Sequence, residues 1–313
     1  MKQNASQKRV GKVPLTILTG YLGAGKTTLL QRLLHHAQKS GLKLAVLMNE
    51  FGEIGIDTKT IKAGRNVDVV EMAGGCVCCS MTGEFEAAVR EVIGKFHPEH
   101  IVLEATGVAE PDAIAFDVRE ALPQVRLDAI ITIVDADALV RFPSLGRTGR
   151  TQIEMADIIL LNKKDLVDAP GMQDARKAVG EINARAAIIP TVRCDADPQM
   201  LLGVNAEEKK TAKNEAHESE KTGSFVFKAE KPMDETKAAA ILEKLPSGIY
   251  RAKGFVTVGD GKGVKTLLYN FVAGRAEFEP FAKEGKTALV FIGEGINSKV
   301  QIDLEKKLRL CLK

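Results

Sequence analysis

The chain has 313 residues, 45% of them hydrophobic and 27% charged, which is typical of a globular protein with a sizeable core. Lys and Arg number 44 against 41 Asp and Glu, and the basic residues are dispersed instead of being concentrated as in a nucleic-acid binder. The N-terminal stretch lacks the apolar segment of a signal peptide, and no apolar run approaches the roughly 18 residues of a membrane span. These features argue against nucleic-acid and membrane partners and predict a cytoplasmic protein.

The first half of the chain alternates short apolar runs with segments of helical spacing. After a polar tail at residues 1–12, the run VPLTILTG precedes the helix-like KTTLLQRLLHHA, and further apolar runs are LKLAVLMNE, VDVVEMA, HIVLEATG, LDAIITIVDA and MADIILLNKKD. Several runs are apolar at nearly every position, which is typical of parallel strands that are buried on both faces. With helical stretches such as residues 83–96 between them, they predict an α/β domain with a mostly parallel sheet over residues 13–204.

The composition changes after residue 202. Residues 205–222 are charged and nearly without apolar side chains, which predicts a solvated linker. Beyond it, apolar segments such as YRAKGFVTVGD and TALVFIGEG stand between the helix-like MDETKAAAILEKL and a final amphipathic DLEKKLRLCL. We therefore expect a smaller α+β domain over residues 223–313.

A glycine-rich motif follows the first apolar run. GYLGAGKT, residues 20–27, matches the pattern G-x-x-x-x-G-K-[ST], with a strand before it and a helix that begins at Lys26. In such a P-loop NTPase domain, backbone N–H groups surround the phosphates, the lysine contacts the β- and γ-phosphates during catalysis, and the Thr27 hydroxyl binds Mg²⁺. A glycine-rich turn without a ligand is the alternative, but the flanking elements argue against it. The predicted nucleotide-binding residues here are Gly20, Gly23, Ala24, Gly25, Lys26, Thr27 and Thr28.

A second motif, Asn162-Lys163-Lys164-Asp165, follows the apolar run ADIILL. A carboxylate at Asp165 can accept two hydrogen bonds from guanine, whereas adenine lacks this pair of donors. A polar turn at the end of a strand is the alternative. Because the motif lies downstream of a phosphate loop, we predict that Asn162, Lys163 and Asp165 recognise guanine.

Between these motifs, the run HIVLEATG ends in Glu104-Ala-Thr-Gly107. A carboxylate at the end of the strand beside a phosphate loop holds the water shell of Mg²⁺, and the glycine can offer its N–H to the γ-phosphate. We predict these two roles for Glu104, as a catalytic and metal-binding residue, and for Gly107. An ordinary turn after a buried strand is the alternative. Common GTPases have aspartate where this chain has glutamate.

Three of the five cysteines, Cys76, Cys78 and Cys79, lie within GGCVCCS. Three thiolates leave one position of a tetrahedral metal site open and favour Zn²⁺ or Cu(I), with Co²⁺ weaker. A redox switch of neighbouring thiols and simple packing are the alternatives. Glu50 is a candidate either for the Mg²⁺ shell or for the open position on the thiolate metal, and the Ser80 hydroxyl is a candidate neighbour of the γ-phosphate.

The combination of GYLGAGKTTLL, MNEFGEIGID, the cysteine cluster, EATGVAEP and NKKD, followed by IYRAKGFVTV and ALVFIGEG, resembles the CobW-type GTPases and their C-terminal domain. The resemblance implies GTP binding, slow hydrolysis to GDP with Mg²⁺, and a transition metal on the C-x-C-C loop. In this interpretation nucleotide state controls delivery of the metal to a client metalloprotein, and a GTP-dependent homodimer is plausible. A regulatory sensor whose hydrolysis is incidental is the alternative. The linker lacks the histidine-rich tract of many relatives, and zinc is the first choice among the candidate metals.

Overall fold

The computed structural model describes residues 12–48, 66–71, 82–107, 111–203, 222–259, 263–281 and 285–313. The cysteine cluster, Glu50, Ser80 and nearly all of the predicted linker lie outside these ranges. No helix in the described ranges is both long enough and apolar enough to cross a membrane.

Seven parallel strands form the first sheet, in the order β3-β2-β4-β1-β5-β6-β7. The predicted apolar runs form these strands. Their bounds are β1 (Val13–Gly20), β2 (Leu44–Met48), β3 (Val67–Glu71), β4 (His100–Glu104), β5 (Val125–Asp135), β6 (Ile158–Asn162) and β7 (Ala187–Pro190).

Helices cover both faces of this sheet. Along β1, Leu18 packs into one apolar layer with α1, whereas Ile17 packs into the opposite layer with α2 and α3. The predicted α/β fold with strands buried on both faces is therefore confirmed. The helices are α1 (Lys26–Ser40), α2 (Thr82–Phe96), α3 (Pro111–Glu120), α4 (Ala136–Arg141), α5 (Arg147–Met155), α6 (Ala169–Ile182) and α7 (Pro198–Leu202).

A second sheet follows, with the order β12-β11-β10-β13-β8 in antiparallel pairing and β9 beside β10. Two helices pack on it around a core that includes Phe227, Tyr269 and Phe291, in agreement with the predicted α+β class. The elements are β8 (Thr222–Ala229), β9 (Met233–Asp234), α8 (Glu235–Leu242), β10 (Ile249–Gly259), β11 (Val264–Val272), β12 (Arg275–Phe281), β13 (Thr287–Glu294) and α9 (Ser298–Arg309).

A buried group of charged side chains joins the two sheets. Relative to β1, strand β5 carries one extra residue, Asp128, between the residues that pair with Leu15 and Thr16. The Asp128 carboxylate forms ion pairs with Arg126 of the same strand, at 2.9 Å, and with Arg251 of β10. Both Asp128 and Arg251 are fully buried. The C-terminal sheet is therefore docked on β5 through a charge pair that is shielded from water.

Candidate functional site

The phosphate loop connects β1 to α1, and the helix begins at Lys26 as predicted. The Lys26 side chain is only 6% exposed, and its Nζ donates to the carbonyl oxygens of Gly20, at 3.0 Å, and Tyr21, at 3.4 Å. The Lys26 ammonium group thus lies back over the phosphate loop. The first N–H groups of a helix have no carbonyl partner within it, and they can therefore bind an anion. Thr27 and Thr28, in this first turn, are half-buried.

Gly25 shows why this loop requires glycine. Its φ of +121° is unfavourable for any residue with a side chain, and a Cβ there would lie 2.7 Å from Asn162 Nδ2 and 2.8 Å from Cys194 Sγ. The loop therefore packs directly on the end of β6 and on the segment that follows β7.

The Asn162 side chain links the phosphate loop to the segment that follows β7. It is 3% exposed, and its Nδ2 donates to the carbonyl oxygen of Ala24 at 2.8 Å. Its Oδ1 accepts from the Thr191 hydroxyl at 3.1 Å and from the Cys194 backbone N–H at 2.8 Å. The first residue of the predicted base motif thus holds the phosphate loop in shape. Sequence reasoning missed Thr191, since no motif contains it.

The remaining residues of the base motif have distinct surroundings. Lys163 adopts a left-handed conformation, with φ +62°, and its Nζ pairs with Asp135 Oδ2 at 2.6 Å. Asp135 also caps α4, since its Oδ1 accepts from the Ala138 backbone N–H at 3.1 Å. Asp165 lies in the 3₁₀ turn Lys164–Leu166 and is exposed. The carboxylate of Asp165 is therefore accessible to a ligand, whereas Asp135, which sequence reasoning missed, orients the lysine.

Glu104 ends β4, which pairs with β1. It is largely buried, stands beside Leu18 in the strand register, and is followed by Ala105, whose N–H donates to the Leu18 carbonyl at 2.9 Å. The predicted position beside the phosphate-loop strand is thus observed. Two residues further on, Gly107 lies against Leu22 of the phosphate loop.

Because the strands are parallel, their carboxyl ends lie at one edge of the sheet, where open α/β folds bind ligands. Gly20, Glu104 and Asn162 end β1, β4 and β6 at that edge. Glu71 ends β3 at the same edge, and the cysteine cluster follows it in sequence. The structure thus brings the predicted phosphate, magnesium and base residues to one edge. It does not describe Glu50, Cys76, Cys78, Cys79 or Ser80.

Within the described residues, no group of three His, Cys, Asp or Glu side chains is placed to hold a metal ion. The two cysteines found there, Cys194 and Cys311, are both buried and free of disulfides. Burial raises the pKa of the Cys194 thiol to about 12, so this thiol stays protonated and is a poor metal ligand. The described residues therefore contain no candidate for the predicted thiolate metal site.

Comparisons with known proteins agree with this geometry. Residues 14–190 match the family model described as CobW/HypB/UreG, nucleotide-binding domain, and residues 222–312 match the cobalamin synthesis protein cobW C-terminal domain. The chain belongs to the CobW/HypB/UreG family. The predicted resemblance to CobW-type GTPases is thus confirmed for both parts of the chain.

Individual members of the family align over most of their length. The zinc chaperone CobW of Sinorhizobium sp is 28% identical over 306 residues, which covers 82% of this chain and 85% of the relative. The zinc chaperone YjiA of Escherichia coli K12 is 32% identical over 276 residues, with the same coverage of 82% and 85%. Zinc-regulated GTPase metalloprotein activator 1 of Dictyostelium discoideum is 25% identical and covers 96% of this chain and 80% of its own length.

Proposed function

We propose that this chain is a GTP-hydrolysing metallochaperone that couples its nucleotide state to the capture and delivery of a transition metal, with zinc as the cargo. The chain is a GTPase by its family, and its relatives include proteins named zinc chaperones and a zinc-regulated metalloprotein activator. One observation carries the proposal: the phosphate loop, Glu104 and the base motif lie at the same edge of the first sheet. Strand β3 ends at this edge too, and the cysteine cluster follows it in sequence.

The phosphates of GTP would bind at the loop between β1 and α1. Backbone N–H groups at the start of α1 would bind phosphate oxygens, and Lys26 would exchange its carbonyl partners for the β- and γ-phosphates. The Thr27 hydroxyl and the Glu104 carboxylate are hard oxygen donors of the type that Mg²⁺ prefers, and both lie at this edge. When bound, Mg²⁺ neutralises charge that develops on the phosphate oxygens. Gly107 would offer its N–H to the γ-phosphate.

Guanine would be recognised at the neighbouring strand end. The exposed Asp165 carboxylate can accept hydrogen bonds from both guanine donors, and the ion pair of Lys163 and Asp135 would form one side of the base pocket. Asn162 would contribute to guanine recognition indirectly, because its side chain holds the phosphate loop against this motif.

The cargo would bind to the thiolates of Cys76, Cys78 and Cys79, with Glu50 as a candidate further ligand and Ser80 next to the γ-phosphate. Three thiolates suit Zn²⁺, and Co²⁺ would bind more weakly. Since the cluster and the nucleotide site follow strands that end at the same edge, GTP and GDP could favour different arrangements of the cysteine segment. The recipient is then a client metalloprotein, and a GTP-dependent homodimer is a further part of the proposal.

The decisive measurement is zinc affinity in two nucleotide states. Zn²⁺ is titrated against a competing chelator in the presence of GDP or of a non-hydrolysable GTP analogue, and the two affinities should differ. Equal affinities would refute the coupling and favour the regulatory sensor. Cys78→Ala should abolish tight zinc binding while leaving GTP binding intact, whereas the matched control Cys311→Ala, at a buried position in the C-terminal core, should retain both. Loss of GTP binding in Cys78→Ala would instead make the cluster part of the nucleotide pocket.

A further inference from the structure

A buried amide outside the sequence motifs contacts the phosphate end of the site. Gln152 lies on α5 and is 1% exposed. Its Nε2 donates a hydrogen bond to the carbonyl oxygen of Gly107 at 3.1 Å, across 45 residues of sequence. The turn that follows Glu104 is therefore attached to a helix that no nucleotide-binding motif includes.

The backbone of Gln152 is itself held by the central sheet. The Thr132 hydroxyl, buried on β5, donates to the Gln152 carbonyl oxygen at 2.7 Å. The backbone from which the Gln152 side chain extends is thus held in position by β5. Two hydrogen bonds in series run from β5 through α5 to Gly107.

The phosphate loop confines Gly107 from another side. A Cβ at Gly107 would lie 3.0 Å from Leu22 Cγ and 3.1 Å from Leu22 N, so a side chain would press on the loop backbone. Gly107 is therefore set in place by two contacts, the phosphate loop at Leu22 and the amide of Gln152.

We propose that Gln152 is a positioning residue for GTP hydrolysis: by anchoring the Gly107 carbonyl it fixes the turn after Glu104, whose Gly107 N–H faces the γ-phosphate in the proposed function. This inference rests on the proposed function, in which Gly107 contacts that phosphate. GDP has no γ-phosphate, so Gln152 matters for GTP binding and hydrolysis and not for GDP binding. A residue with a purely structural role would affect both nucleotides alike.

The test uses Gln152→Met, which preserves the length of the side chain and removes its N–H donors. Affinities for a fluorescent GDP and a fluorescent non-hydrolysable GTP analogue are measured together with kcat for phosphate release. GDP affinity should be unchanged. The GTP-analogue affinity and kcat should each fall about tenfold, the order expected when a buried acceptor loses its donor.

Two further variants make the result decisive. Gln301→Met makes the same chemical change on α9, where Gln301 Nε2 donates to Glu305 Oε1 at 2.9 Å, and should leave all three quantities unchanged. Gln152→Asn keeps an amide but shortens the side chain by one methylene, so GTP-analogue affinity and kcat should again fall while GDP affinity is unchanged. If circular dichroism shows that Gln152→Met is unfolded, Gln152→Asn provides the test of the proposal.

Equal losses of affinity for GDP and for the GTP analogue, or an unaltered kcat, would refute the proposed role of Gln152. Failure of the wild-type chain to bind or hydrolyse GTP would instead refute the proposed function, so the two outcomes are distinguishable.

Discussion

Asp128→Asn tests whether the buried charge group holds the two sheets together. The substitution keeps the size of the side chain and removes its charge. Burial alone would raise the pKa of Asp128, but the charges of Arg251 and Arg126 outweigh burial and hold this pKa well below its usual range. Asp128 is therefore ionised at neutral pH. Its removal leaves two buried guanidinium groups without the carboxylate that neutralises them.

The expected loss of unfolding free energy follows from this burial. Asp128 and Arg251 have no exposed side-chain surface and Arg126 has 5%. Removing one partner of such a pair costs about 3–5 kcal/mol, because an uncompensated charge stays buried. Since a whole domain is stable by only ~5–15 kcal/mol, this is a large fraction. The control Asp303→Asn removes the exposed pair with Lys307 on α9 and should cost about 0.3–0.5 kcal/mol.

Urea denaturation followed by circular dichroism measures these losses, since the chain has no Trp for fluorescence. Adding Arg251→Met to Asp128→Asn should cost clearly less than the sum of the two single losses, because the charge imbalance is partly removed. A loss below ~1 kcal/mol for Asp128→Asn, or strictly additive losses in the double variant, would show that the pair does not stabilise the junction.

Two other predictions concern pH and base recognition. Burial lowers the pKa of His100 to about 3, and its Nε2 lies 2.8 Å from the Thr16 hydroxyl. Because an unfolded histidine titrates near 6.5, the unfolded chain binds the extra proton first, and unfolding free energy should fall as pH drops from about 6.5 toward 3. His100→Gln should flatten this dependence in urea melts at several pH values, and an unchanged slope would contradict the assignment. Asp165→Asn should weaken GTP binding and relax discrimination against xanthine nucleotides in competition assays, whereas an unchanged base preference would show that Asp165 does not contact the base.

Local patterns predicted the strands and motifs, but not the contacts between them. The phosphate loop, the helix from Lys26 and the strand that ends at Glu104 follow from residue types that are adjacent in sequence. The bond from Asn162 to the Ala24 carbonyl spans 138 residues and depends on the order of the strands. That order is set by packing of the whole sheet. Gln152 carried no signal at all, because a polar residue in a short helix is usually exposed.

The charge group at the domain junction was also beyond prediction. The run LDAIITIVDA reads as a buried strand, in which an aspartate is unfavourable unless it is paired. Its partner Arg251 lies 123 residues away in another sheet. The extra residue in β5 that accommodates Asp128 is a feature of register, which follows from the neighbouring strand and not from the run itself.

The strand order also separates the fixed and the nucleotide-dependent parts of the proposed mechanism. The ion pairs between the two sheets involve Asp128 on β5 and Asp157 just before β6, both on one side of β1. Strands β2 and β3 lie on the other side of β1, and in sequence they precede residues 49–57 and the cysteine cluster, respectively. Strand β5 is paired on both edges, with β1 and with β6, so it cannot shift alone. In the proposed mechanism, a rearrangement after β3 that leaves β5 and β6 in place would keep the C-terminal sheet docked, so zinc release would not require a change at the domain junction.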